Sequence, residues 1–423
     1  MIRRWIKLLK ENTLLRSGVI FFVSTMLVNV GNYIFQTQMG RFLTKESYGE
    51  LGALMSIFYL FSVFGGTLQN AVVRYVATYK AENNMARLQN VWRYLMRLMF
   101  GLGVVVFVLN IGASGWIADY LKISNRLPLL FLDFMFVIMF AASLNRAVLQ
   151  GLQRFLALSI NLVIEVVVKL GVGLALVFWG WSLNGAVAGV IVGGGVAFIA
   201  TLIPLQFLRS TGTRQEVRIT RHHVEFSAHV FLITLCLTAL YNFDLLLVKH
   251  YFTPELAGDY TTLSYLGRII FFATGVIAMV VYPMVSERRA QRQAHRHLLI
   301  QSFLLVGVAS TFGVLFYFLF PTLVIDLFYS EKYFTVAPYL GWVALVMGVY
   351  SLINLLVMYL MGIHRFQFLP VLVAGTFAEV VLIVLFHDTL MQVLWSLLGV
   401  MIFILLGSIA AVYLTRRAAP SLS

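Results

Sequence analysis

Four cations lie stranded inside long apolar stretches of the chain: Arg74, Arg146, Lys169 and Arg268. A cation at the centre of a bilayer costs about 2.5–3.5 kcal/mol on insertion scales, so it needs a partner or a wet cavity. Arg74 and Arg146 fall nearer the ends of their stretches, where snorkelling to the interface competes with lining a cavity. Lys169 and Arg268 fall near mid-stretch, which favours a cavity. Four acids share the apolar stretches: Asp133, Glu165, Asp244 and Glu379. Glu165 precedes Lys169 by four, the favourable order for an ion pair on one helix. Such a pair is either a structural neutralisation or a switch in which an anionic substrate or a proton competes for one partner. Asp133 and Asp244 lie nearer the outer ends of their stretches, which lets both touch water, whereas Glu379 is mid-stretch without a local mate. Glu165, Asp244 and Glu379 are the candidates for coupling to a proton or another cation.

Neutral polar residues extend the pattern. Thr25, Asn29, Asn32 and Gln36 recur at helical spacing and share one face. At an offset of 209 residues, Thr25 and Asn29 map onto Thr234 and Thr238, and Tyr260, Ser264 and Arg268 follow at successive fours. Such stripes either line a wet cavity or hydrogen-bond across a dry bundle, and matching stripes in both halves favour the cavity. The candidate substrate-binding set is therefore Arg268, Lys169, Arg74, Arg146, Asn29, Asn32 and Gln36.

The residue types for covalent chemistry are not assembled. There is no phosphate-cradling glycine loop, no serine–histidine–acid pattern and no paired cysteines; the single Cys236 sits in an apolar stretch and excludes an internal disulfide. His222, Glu225 and His229 have a spacing that can place metal ligands on one helix face, but they fall at the start of a stretch, where solvated or headgroup-facing residues are the stronger reading. The loops, at most about 15–20 residues, leave no room for a donor-binding domain. The expectation is a non-enzyme without cofactor or metal.

The elements that must position these residues follow from composition. The chain is 61% hydrophobic and 11% charged, and about 20 apolar residues suffice to cross the hydrocarbon core. Spans are expected near 14–37, 48–78, 94–117, 128–151, 155–179, 184–208, 224–248, 258–285, 298–320, 337–361, 368–386 and 392–414. Prolines sit mostly at span ends, so the helices should be mostly unbroken, and Gly185, Gly189 and Gly193 form a small-residue ridge suited to close helix packing. If the termini and every second loop lie on one side, that side holds most of the 31 lysines and arginines; the other holds Arg41, Lys45, Lys122, Arg126, Lys249 and Lys332. The positive-inside rule then puts both termini in the cytoplasm. The net charge of +14 is largely topological and gives no reason to invoke nucleic acid. Met1 to Lys10 reads as a short amphipathic helix on the membrane surface, with no removable signal peptide.

Two short echoes show that the spans form two copies of one pattern. Thr44-Lys45-Glu46-Ser47-Tyr48-Gly49-Glu50 returns as Thr253-Pro254-Glu255-Leu256-Ala257-Gly258-Asp259, and Leu149-Gln150-Gly151-Leu152-Gln153-Arg154-Phe155 as Leu360-Met361-Gly362-Ile363-His364-Arg365-Phe366, at offsets of 209 and 211. Six spans per copy make the repeats parallel. The expected architecture is all-α: a polytopic membrane protein of twelve helices in two parallel six-helix repeats around a central cavity. Residues 1–213 form an N-terminal lobe and 214–423 a C-terminal lobe, with both termini cytoplasmic.

With Arg41-Phe42-Leu43-Thr44-Lys45-Glu46-Ser47-Tyr48-Gly49, Leu149-Gln150-Gly151 and Pro254-Glu255-Leu256-Ala257-Gly258-Asp259-Tyr260, the chain resembles the polysaccharide-transporter branch of the multidrug/oligosaccharidyl-lipid/polysaccharide exporter superfamily, which includes bacterial O-antigen flippases. The resemblance spans essentially the whole chain, on degenerate loop motifs. Tyr265-Leu266-Gly267-Arg268 also looks like the place where the superfamily's lipid II flippase carries a cavity arginine; that flippase has two helices more. The resemblance implies a multi-pass protein of the bacterial cytoplasmic membrane that flips a polyprenyl-diphosphate-linked oligosaccharide outward by alternating access, for surface polysaccharide biosynthesis. It would work beside other assembly proteins. The cations would hold the diphosphate, and Asn29, Asn32 and Gln36 the sugars. Two alternatives stand: a cation-coupled drug or small-cation exporter of the sister branch, which would lean on acids, and a non-transporting scaffold of a polysaccharide assembly complex.

Overall fold

The computed structural model describes residues 13–82, 84–123, 125–209, 221–291 and 293–417. The proposed surface helix at Met1–Lys10 and most of the basic linker lie outside the described residues, as do the side chains of His222 and Glu225. Among the described residues there are helices and turns and no strand.

The helices are α1 (Thr13–Phe42), α2 (Lys45–Ala81), α3 (Met85–Tyr120), α4 (Leu127–Gly151), α5 (Phe155–Leu176), α6 (Ser182–Leu202) and α7 (Arg221–Ala239). They continue as α8 (Phe243–Tyr251), α9 (Pro254–Ala290), α10 (Arg296–Leu319), α11 (Pro321–Phe328), α12 (Ala337–Gly362), α13 (Leu369–Leu385) and α14 (Leu390–Arg417). Among the described residues nine helical stretches are long and apolar enough to cross a membrane; one of them, residues 155–202, is two helices, α5 and α6, which reverse at Val177–Trp181 and pack on each other. Gly180 in that turn has φ +88°, a value that glycine adopts without steric cost. The bent pair α7–α8 makes a tenth stretch, and α13 is apolar but 17 residues long.

The helices are expected to be mostly unbroken, and α7–α8 is an exception, bent by 41° across Leu240–Asn242. There is no proline at the break. Its cause is Asn242, whose side-chain amide donates to the Thr238 carbonyl at 2.8 Å and so competes with the helical ladder. In the opposite sense, α9 runs on through Pro283 to Ala290.

The chain forms two compact units, Met1–Ser47 with Ile57–Phe231, and Tyr48–Ser56 with Leu232–Ser423, whereas the sequence suggests a division at 213/214. In the first, α4 is the most enclosed helix, packed on α3 and α6, while α5 packs on α1 and α6. The ridge of Gly185, Gly189 and Gly193 is the α5–α6 contact: a Cβ on Gly189 would fall 2.5 Å from the Gly173 Cα, and one on Gly193 would fall 2.8 Å from the Glu165 carbonyl oxygen. In the second unit α12 is the enclosed helix, against α9, α10 and α14.

The sequence echoes are matching pieces of backbone. Thr44 and Thr253 are N-caps of α2 and α9, with φ/ψ of −64°/160° and −67°/155° and with side chains that accept from Ser47 N and Leu256 N. The second echo ends α4 and α12 in one turn: Arg154 N donates to the Leu149 carbonyl and Arg365 N to the Leu360 carbonyl. Gln153 and His364 adopt left-handed φ of 60° and 50° there. The glycine in each turn sits against a helix backbone, Gly151 near the Val73 carbonyl and Val76, Gly362 near the Tyr282 carbonyl and Val285, positions again 209 apart.

Candidate functional site

Each unit holds a cluster of charged and polar side chains inside its helices. In the first, α5 supplies Asn161, Glu165 and Lys169 at intervals of four, so all three project from one face. Glu165 is ion-paired with Arg146 of α4. Arg146 Nε also donates to Asn161 Oδ1 at 2.8 Å, and Asn161 Nδ2 donates to the Ala197 carbonyl of α6 at 2.7 Å. The ion pair expected along α5 is therefore replaced by one across helices, because the guanidinium of Arg146 reaches Glu165 and is fixed by Asn161. Arg146 does not snorkel.

Lys169 instead donates to Asn32 Oδ1 of α1, with its ammonium 4.9 Å from the centroid of the Phe35 ring. Gln36, one turn beyond Asn32, is buried, and its side-chain oxygen has no hydrogen-bond partner among the described residues. Asn29, one turn before, is exposed, and so is Arg74 on α2. The structure thus brings together Asn32, Lys169, Arg146 and Glu165, and leaves Asn29 and Arg74 outside the cluster.

In the second unit the centre is Arg268 on α9, 2% exposed. Its guanidinium lies over the rings of Tyr241 and Tyr265, at 4.9 and 4.7 Å, and donates to the Tyr241 carbonyl and to Asn242 Oδ1 at 3.4 Å. Asp244 is buried within electrostatic reach of it, so the expectation that Asp244 and Asp133 touch water is corrected: both are 1% exposed. Position near a helix end does not give exposure when neighbouring helices cover that end. Asp244 accepts from Tyr260 OH at 2.8 Å and from Leu245 N at 2.8 Å. Glu379 is within electrostatic reach of Asp244, and neither of its carboxyl oxygens has a hydrogen-bond partner among the described residues.

The α7–α8 break shapes this cluster, because helix ends leave carbonyls that lipid cannot satisfy. Cys236 O accepts from Leu240 N, Leu237 O from Tyr350 OH, Thr238 O from Asn242 Nδ2 and Ala239 O from Asn242 N. The carbonyl of Tyr241 is left to Arg268. Asn161 was legible as a third polar residue in the α5 stripe. Tyr241, Asn242 and Tyr350 were not, since no proline or glycine marks the break and the Arg268 and Tyr350 side chains that satisfy it are remote in sequence. Nor was the buried group of Tyr48, Tyr329 and Tyr333, in which Tyr48 OH lies 2.9 Å from Tyr329 OH. No group of three or more histidine, cysteine or acidic side chains among the described residues could hold a metal ion.

The arrangement can bind charge and sugar-like hydroxyls and can hold a proton or cation on an acid. A model of a family described as polysaccharide biosynthesis protein matches residues 38–338. The fold is similar to that of an inward-facing multidrug resistance MATE family transporter of the MOP superfamily: TM-score 0.77, 13% identity, 95% of this chain and 97% of that one. It is also similar to the lipid II flippase MurJ in an inward closed conformation (TM-score 0.69, 14% identity, 94% and 87%) and to a MATE protein in complex with MaL6 (0.64, 15%, 94% and 93%). No curated protein sequence matches the chain.

Proposed function

Because the chain belongs to the polysaccharide biosynthesis protein family, we propose that it is a flippase that carries a polyprenyl-diphosphate-linked oligosaccharide from the cytoplasmic to the outer face of a bacterial cytoplasmic membrane. It would do so with twelve spans in two parallel repeats and both termini in the cytoplasm. The observation that carries this reading is that Lys169 and Arg268 are held by neutral groups. Among the described residues Lys169 has Asn32 and the Phe35 face, and Arg268 has a carbonyl, an amide and two ring faces, with no salt bridge to either. Each positive charge is positioned by neutral direct contacts, with Glu165 acting on Lys169 and Asp244 on Arg268 only at longer range, which leaves each cation a direct contact to give to a diphosphate. Asn32 and Gln36 would meet sugar hydroxyls while the polyprenyl tail stays in lipid. Alternating access would present the headgroup to each side in turn, and the membrane potential favours outward movement of an anion by about 2.3 kcal/mol per charge per 100 mV. No bond is made or broken; the protein is a transporter and not an enzyme.

The test is transfer of a fluorescent polyprenyl-diphosphate oligosaccharide across proteoliposomes, with Arg268→Ala and Lys169→Ala as variants and gel filtration as the folding control. Transfer by the wild type and its loss in folded variants supports the reading. A wild type that moves no lipid-linked sugar overturns it.

A second reading, a cation-coupled exporter of drugs or small cations, draws on Asp244 and Glu379. Two buried acids within electrostatic reach of each other, one without hydrogen-bond partners among the described residues, suit a coupling ion. Ion coupling is compatible with either substrate, so export of a cationic dye by the same proteoliposomes decides between them.

A further inference from the structure

About 30 Å along α9 from Arg268, given 1.5 Å per helical residue, the second unit opens a separate cavity of about 570 Å³. Arg289 near the end of α9, His295 and Arg296 at the start of α10, and His364 and Arg365 in the left-handed turn after α12 line it at one end. Among the described residues, no carboxylate lines it. His295 is fixed by a 2.8 Å hydrogen bond to Tyr359 OH. The first turn of α10 adds unsatisfied backbone N–H groups, since His295 gives no side-chain cap. At the other end the cavity runs along α10 over Leu299, Ile300, Phe303 and Leu304. Ile300 and Leu304 are 45% and 63% exposed, so this apolar floor opens sideways and not into the core.

A cationic head joined to an apolar trough has the chemistry of one ligand class. We propose that the cavity is a binding site for an anionic phospholipid, with its phosphate among Arg289, Arg296 and Arg365 and one acyl chain along Leu299, Ile300, Phe303 and Leu304. A soluble phosphate would leave the trough empty, and a zwitterionic lipid would bring an ammonium to a ring of guanidinium groups. The distance from Arg268 separates this site from the proposed substrate site, and the inference does not depend on that reading. Its consequence is regulatory: α9, α10 and the turn after α12 meet here, so an occupied site ties them together.

Native mass spectrometry of the full chain, offered phosphatidylglycerol and phosphatidylcholine of the same acyl chains, tests this. Retention should favour phosphatidylglycerol by about fivefold for each arginine engaged, taking about 1 kcal/mol per cation. Arg289→Gln with Arg365→Gln should cut the preference by about 25-fold, to the share that Arg296 supplies, and Arg289→Lys with Arg365→Lys should keep it. Both positions border solvent or are half-buried, so folding is expected to survive, and gel filtration checks it. Parity in the wild type, an unchanged preference in the glutamine variant, displacement by inorganic phosphate, or replacement of phospholipid by polyprenyl diphosphate would each overturn the proposal.

Discussion

Arg146 of α4 holds Glu165 of α5 in an ion pair, and Lys169, one turn further along α5, is left to Asn32 of α1. One acid sits between two cations, and geometry assigns it to the arginine. The pair is half-buried, between the exposed limit of under about 1 kcal/mol and the buried limit of about 3–5 kcal/mol for loss of one partner. A double-mutant cycle with Arg146→Gln and Glu165→Gln should give a coupling energy of about 1–3 kcal/mol in detergent unfolding. A value near zero would show that the pair adds nothing to the fold.

Lys169 should then be dispensable for folding and required for transport. Lys169→Met keeps the stem against Phe35 and removes the charge. Its melting temperature should stay close to that of the wild type, while transfer of the lipid-linked sugar falls by about tenfold or more, the effect of about 1.4 kcal/mol or more of lost substrate interaction. Equal losses of stability and transport would make the lysine structural.

Glu379 is the most exposing test of ion coupling. Its carboxyl has no hydrogen-bond partner among the described residues, so Glu379→Gln removes no bond from the fold. The variant should be as stable as the wild type within about 1 kcal/mol, yet transport should lose its dependence on an imposed proton or sodium gradient. A gradient dependence that survives would move the coupling to Asp244 or Glu165.

The α5–α6 contact predicts a large effect from a small change. Gly189→Ala would put a methyl 2.5 Å from the Gly173 Cα, where neither backbone can retreat. The expected cost is about 3 kcal/mol, at the upper end for overpacking, read as a lower midpoint in thermal unfolding. Gly171→Ala on the same α5, where no described residue lies within 4 Å of the new methyl, is the control and should stabilise by up to about 1 kcal/mol.

His295 gives the pH dependence. Burial, and then the Arg289 and Arg365 guanidinium groups, push its imidazole below the usual 6.5. The unfolded chain therefore binds this proton more readily than the folded one. The stabilisation is complete above about 6.5 and is lost as the pH falls through that value towards the folded pKa. His364 shifts the same way, through burial and Arg289. The melting temperature should fall on acidification below about pH 6.5, less steeply in His295→Gln. An anionic lipid among these arginines should flatten the same curve.

Most of the helix positions were legible from runs of apolar residues, because lipid demands length and tolerates few charges. The echoes at Thr44/Thr253 and Gln150/Met361 were legible because caps and turns need particular residues, and the structure returns matching torsions at both. Partner choice inside the clusters was harder. Glu165 and Lys169 are correctly spaced for each other, but a competing arginine from another helix decides the pairing. The burial of Asp244 is not legible in the sequence, because cover by neighbouring helices is not a local property. The break at Leu240–Asn242 is only partly local: an asparagine within an apolar run starts it, but side chains from α9 and α12, remote in sequence, make it tolerable.

That repair has an order in time. The carbonyl of Tyr241 emerges from the ribosome before Arg268, and the carbonyl of Leu237 long before Tyr350. A chain that released α7–α8 into lipid alone would leave open backbone there until α9 arrived. Biogenesis therefore favours insertion of α7–α9 as one hairpin, with the arginine entering the bilayer against the break it mends, so each masks the other's polarity during passage.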